Sequence, residues 1–127
     1  AKRRDKFKYL SGRPCSLSEF IEIARPTENS NPSWFGVPVT IKESAGIKRV
    51  DIVKYLDQYK IGTRLLFAGN LINQPYFQGI EYRISGSLEN TDRTMNQTFW
   101  LGVQPTLGEE HYNFVAEKME EFFGVNF

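Results

Sequence analysis

Cysteine and histidine are almost missing from this sequence, each occurring once, at Cys15 and His111. One thiol excludes an internal disulfide. One cysteine and one histidine also fall short of a four-ligand zinc set, or of the roughly four thiolates that hold an iron–sulfur cluster. A reduced, cytoplasmic setting is the expectation. An excess of either charge is missing too: 16 basic and 15 acidic side chains leave a net charge of +1. A nucleic-acid module concentrates positive charge, so no nucleic-acid partner is expected. No run approaches the roughly 20 apolar residues of a membrane span. The opening "AKRRDKFKYL" has basic charge without the apolar core of a secretory signal. It begins in mid-helix, which predicts a piece of a longer protein.

The sequence does have length and aromatic area. Its 127 residues suit one domain with a real core, and 40% hydrophobic against 24% charged residues is the balance of a folded chain. Ten Phe, six Tyr and two Trp predict a rich core or a surface that meets something else.

Periodicity places the elements. "KRRDKFKYL" reads as a helix ended by Gly12 and Pro14. "CSLSEFIEIA" fits a short helix or a strand reaching Ile23, and "RPTENSNPS" is a polar loop. In "WFGVPVTIKE", Val37, Val39 and Ile41 alternate as in a half-buried strand, with Pro38 predicting an edge or a bulge. "KRVDIVKYLDQYKIG" carries Val50, Val53 and Leu56 at helical spacing, with Gly62 as the expected C-cap. "TRLLF" is a short strand, followed by a turn-rich loop to about Ser87. "NTDRTMNQ" is a short helix and "TFWLGV" a strand. The closing helix enters through Thr106 and Glu109 as a T-x-x-E capping box, with Leu107, Tyr112, Val115, Met119 and Phe122 or Phe123 on its apolar face. The class is α+β, a short three- to four-stranded sheet packed against helices.

Four quoted stretches carry a resemblance: "SWFGVPVTIKE", "YLDQYKIGTRLLFAGNLINQPYF", "NTDRTMNQTFWLGVQPTL" and "FVAEKMEEFFGVNF". In this order and spacing the chain resembles the pyridoxal-phosphate-dependent sugar enzymes of the DegT/DnrJ/StrS family. Within the family it is similar to the RfbH type of lipopolysaccharide biosynthesis, the CDP-4-keto-6-deoxyglucose 3-dehydrases. "KRRDKF" is similar to the helix that links the two domains of these enzymes. The resemblance implies the small C-terminal domain of the aspartate aminotransferase fold over residues 1–127, with residues 1–12 in the linking helix and the large cofactor-binding domain outside this sequence. It implies pyridoxal or pyridoxamine phosphate in the full-length enzyme, with an iron–sulfur cluster upstream and none of these groups bound by this piece alone. It further implies a CDP-sugar substrate, a homodimer and a reductase partner, in a deoxygenation at the sugar C3.

Substrate-binding candidates follow, and no catalytic residue is expected here. Arg64 ends a strand with a planar charged fork that suits a diphosphate. The bland alternative is an ion pair with Asp57 or Glu81. Phe35 stands where the family's aminotransferases have histidine, which agrees with the dehydrase type and would exclude water from a cleft. A plain core phenylalanine is the other reading. Asn70 has an amide for a sugar hydroxyl or a base edge, or simply makes a turn. Arg93 faces the same cleft, or pairs with Asp92 on the surface. His111 is read as exposed, "NQT" at Asn96–Thr98 as an unmodified acceptor, and the basic start as a solvated helix face. Two other functions stay open: the aminotransferase branch of the family, and a stand-alone α+β module that binds a protein partner through its aromatics.

Overall fold

A computed structural model describes residues 2–12 and 16–124, so Pro14 and Cys15 lie outside the described residues. The order is α1 (Lys2–Gly12), β1 (Ile21–Ile23), β2 (Gly36–Ile41), α2 (Arg49–Gln58), β3 (Thr63–Leu65), α3 (Glu89–Gln97), β4 (Thr98–Gly102) and α4 (Glu109–Phe122), with short 3-10 turns in the loops. The strands form one antiparallel sheet in the order β1-β2-β4-β3.

Alternation along the strands makes two unlike faces. Val37, Val39, Ile41, Phe99 and Leu101 all turn inward and are buried. They share one core with Phe7 and Leu10 of α1, Ile52 and Leu56 of α2, and Tyr112 and Met119 of α4. The other face carries Pro38 and Thr40 of β2, Thr98 and Trp100 of β4, and Arg64 of β3. There α3 lies against β2 and β4. Arg49 ties α3 down by donating to the carbonyls of Met95 and Thr98, cations being favourable at a helix C-terminus. Its partial burial lowers the guanidinium pKa from its ordinary value, and arginine still stays charged.

Several expectations are corrected. β2 is an interior strand, yet it contains Pro38. The Pro38 carbonyl accepts the Ala24 N–H just beyond the last β1 pair, at Ile23, so its missing N–H falls where the β1 ladder has ended. The turn after α2 is made by Lys60 at φ 61°, with Lys60 N–H on the Asp57 carbonyl and Ile61 N–H on the Leu56 carbonyl; Gly62 is not the cap. Ile52 rather than Val50 is the buried partner of Leu56 on that helix. The capping box does not form: Gly108 holds the N-cap position of α4 with no side-chain cap, and Thr106 sits in the preceding turn. Leu107 is accordingly outside the helix and partly exposed, while Ala116 joins the buried face.

Candidate functional site

The row Pro38, Trp100, Arg64 crosses three strands on the sheet face away from the core. Phe35 immediately precedes β2, and its ring meets the Trp100 indole at 5.1 Å between centroids. Phe35 is 67% exposed, so it is not a core residue of the chain. Arg64 is exposed as well, and its guanidinium donates to the neighbouring Thr63 carbonyl at 3.2 Å. The ion pair with Asp57 or Glu81 is not present among the described residues. The fold thus brings Phe35 and Arg64 to one surface, joined through Trp100.

Asn70 and Arg93 do not join them. Asn70 is 3% exposed. Its Nδ2 donates to Asp92 Oδ1 at 2.7 Å, and its Oδ1 accepts the Ile72 N–H at 3.3 Å, capping the short turn Leu71–Asn73. The amide expected to meet a sugar or a base is therefore occupied within the chain. Asn73 donates to the same Asp92 oxygen, and Gln74 reaches the Ala68 carbonyl. Arg93 pairs with Glu22 of β1 at 3.0 Å rather than with Asp92, on the opposite sheet edge from Arg64. His111 is exposed beside Glu110.

Trp100 was not singled out in the sequence, because an aromatic in an apolar strand reads as core. Its Nε1 donates to the Leu65 carbonyl at 3.2 Å. From that partner onward the segment Leu65–Ile84 exposes apolar side chains in quantity, among them Leu65, Phe67, Leu71, Tyr76, Ile80 and Tyr82. Such density on one stretch marks a surface that meets another. A groove of about 590 Å3 lies elsewhere, between α1 and β1, lined by Phe7, Ser11, Ile21, Arg25 and Lys42 among others and by none of the four candidates.

A family model described as the DegT/DnrJ/EryC1/StrS aminotransferase family matches residues 1–120. The chain belongs to this family. It is 58% identical over 125 residues to the lipopolysaccharide biosynthesis protein RfbH of Salmonella typhimurium, covering 98% of this chain and 29% of that protein. It is 42% identical over 113 residues to the dTDP-4-dehydro-2,6-dideoxy-D-glucose 3-dehydratase of Saccharopolyspora spinosa, covering 89% and 23%. Its fold matches that of the E. coli GDP-4-keto-6-deoxy-D-mannose-3-dehydratase solved with bound hydrated PLP. The TM-score is 0.76 at 19% identity, over 92% of this chain and 29% of the other. The chain of this DegT/DnrJ/EryC1/StrS member thus spans under a third of each of these relatives, and its architecture is a segment of the aspartate aminotransferase fold. For pyridoxal phosphate itself the described residues are a poor fit. None of their lysines is buried; of the half-buried ones, Lys6 lies over the Tyr112 ring, and Lys42 and Lys118 are held by the Ser18 carbonyl and Glu121. No described helix is long and apolar enough to cross a membrane.

Proposed function

We propose that the chain is the substrate-cleft domain of a pyridoxal- or pyridoxamine-phosphate-dependent nucleotide-sugar 3-dehydrase acting in the deoxysugar branch of lipopolysaccharide biosynthesis. Residues 1–127 form its small C-terminal domain, with α1 in the linking helix and the cofactor held by a large domain outside this sequence. A CDP-sugar is the substrate. A homodimer and a reductase that delivers electrons belong to the same reading, as does a cytoplasmic location.

The observation that carries it is Arg64. Its fork is exposed on a sheet face, linked to Phe35 through Trp100 and followed in the chain by a stretch of uncovered apolar side chains, and no acidic partner among the described residues neutralises it. An unpaired guanidinium on a strand can take two phosphate oxygens at once. Phe35 adds an apolar ring that removes water from the same wall. Identity of 58% to RfbH favours the dehydrase over the aminotransferase branch, and phenylalanine at position 35 agrees with it.

Titrating CDP-glucose into the isotopically labelled chain tests this. Weak amide shifts confined to the surroundings of Phe35 and Arg64 support it. Shifts centred on the groove between α1 and β1, or on Arg93, contradict the placement of the wall.

A further inference from the structure

We propose that Trp100 is the positioning residue of this wall, one indole that fixes both the Phe35 ring and the strand end bearing Arg64. The inference rests on the reading of Phe35 and Arg64 as ligand contacts, and its own evidence is geometric. Trp100 sits mid-row, paired with Pro38 on one side and Arg64 on the other. Its six-membered ring lies over the backbone of Gly36: a Cβ added there would stand 2.3 Å from Trp100 Cε3. Glycine at 36 is what lets the indole lie flat at the start of β2, where the Phe35 ring meets it.

The other end of the indole reaches β3. Nε1 donates to the Leu65 carbonyl, which also accepts the Phe67 N–H at 3.0 Å. That carbonyl closes a tight turn in which Phe67 has φ 32°, a conformation costly for a side chain with a Cβ and retained where surrounding bonds enforce it. Trp100 is thus a strut between the two ligand-wall elements. A loss at the indole moves the ring at 35 and loosens the turn that follows Arg64 together.

The test uses Trp100→Phe, which keeps an aromatic ring and removes the donor, and Trp100→Leu, which removes both. Without ligand, hydrogen exchange at the amides of Phe67 and its neighbours should rise about tenfold in both variants, and the Phe35 ring protons should lose their indole-induced shifts in Trp100→Leu. With CDP-glucose as probe, Trp100→Phe should weaken binding about fivefold, the scale of one neutral hydrogen bond. Adding Trp100→Leu to a Phe35→Ala, Arg64→Ala double variant should cost little beyond that double variant, because the indole acts through the two residues it holds. Unchanged exchange in Trp100→Phe overturns the inference. So do fully additive losses, or lowered stability with unchanged affinity, which is what a purely structural tryptophan gives. Arg64→Ala binding the probe as well as wild type overturns instead the ligand-wall reading, and the positioning role falls with it.

Discussion

Replacing Asn70 separates a structural amide from a ligand contact. In Asn70→Ala the chain loses a charge-assisted hydrogen bond to Asp92 at 2.7 Å and a cap on the Ile72 N–H at 3.3 Å. The first is worth about 1.5–3 kcal/mol and the second about 0.5–2 kcal/mol. Both belong to one side chain, and Asp92 retains its bond from Asn73, so the sum is not additive and a loss of about 2–3 kcal/mol is expected. For a domain of this length that is roughly 6–15 °C in Tm. Asn70→Asp should be at least as damaging. It sets a carboxylate at bonding distance from Asp92, and its deficit should shrink as the pH falls and one of the two is protonated. The assay is urea and thermal unfolding followed by circular dichroism, alongside CDP-glucose titration. A change within about 0.5 kcal/mol would refute the reasoning, that being the scale of an ordinary surface substitution. So would unaltered stability with a large loss of affinity.

Other predictions concern the sheet and the helices. Gly36→Ala drives a Cβ to 2.3 Å from Trp100 and 2.8 Å from the Leu101 carbonyl; it should cost about 1–3 kcal/mol in urea and shift the tryptophan fluorescence. Phe99→Ala empties a fully buried site between the central strands and the helices and should cost about 3–5 kcal/mol by the same unfolding assay. Hydrogen bonding to Lys118 lowers the Glu121 pKa, and the same bond raises that of Lys118. The pair therefore stabilises the fold between the glutamate and lysine ranges. Its contribution fades as acid protonates Glu121 through its lowered pKa, or as base deprotonates Lys118 through its raised one. Glu121→Gln should narrow the gap to wild type at both extremes of a stability–pH curve, the gap being small throughout because water reaches the half-exposed Glu121 and screens the pair.

The elements with strong periodicity were legible in the sequence: the Val37–Ile41 alternation, the helix through Leu56 and the apolar face of α4 all appear where expected. The ends of elements were less so, because tertiary bonds decide them. Backbone bonds hold Lys60 in the left-handed region that Gly62 was expected to occupy. Pro38 is tolerated inside the sheet because β1 stops three residues after it starts. The candidate site divided along the same line. Arg64 and Phe35 were identifiable as a charged fork and a departing aromatic, but Trp100 was hidden, since in-facing and out-facing aromatics of one strand look alike until the register is known. In the sequence Asn70 offers only an amide, and Asp92, 22 residues away, shows where that amide is spent.

The central claim is that Arg64 grips the diphosphate of a nucleotide sugar. The affinity of the full-length protein for CDP-glucose, compared between wild type, Arg64→Lys and Arg64→Ala by calorimetry, tests it most directly. Arg64→Ala should lose affinity about tenfold or more and Arg64→Lys less, because lysine keeps the charge without the two-pronged geometry. Equal affinity in all three would contradict it.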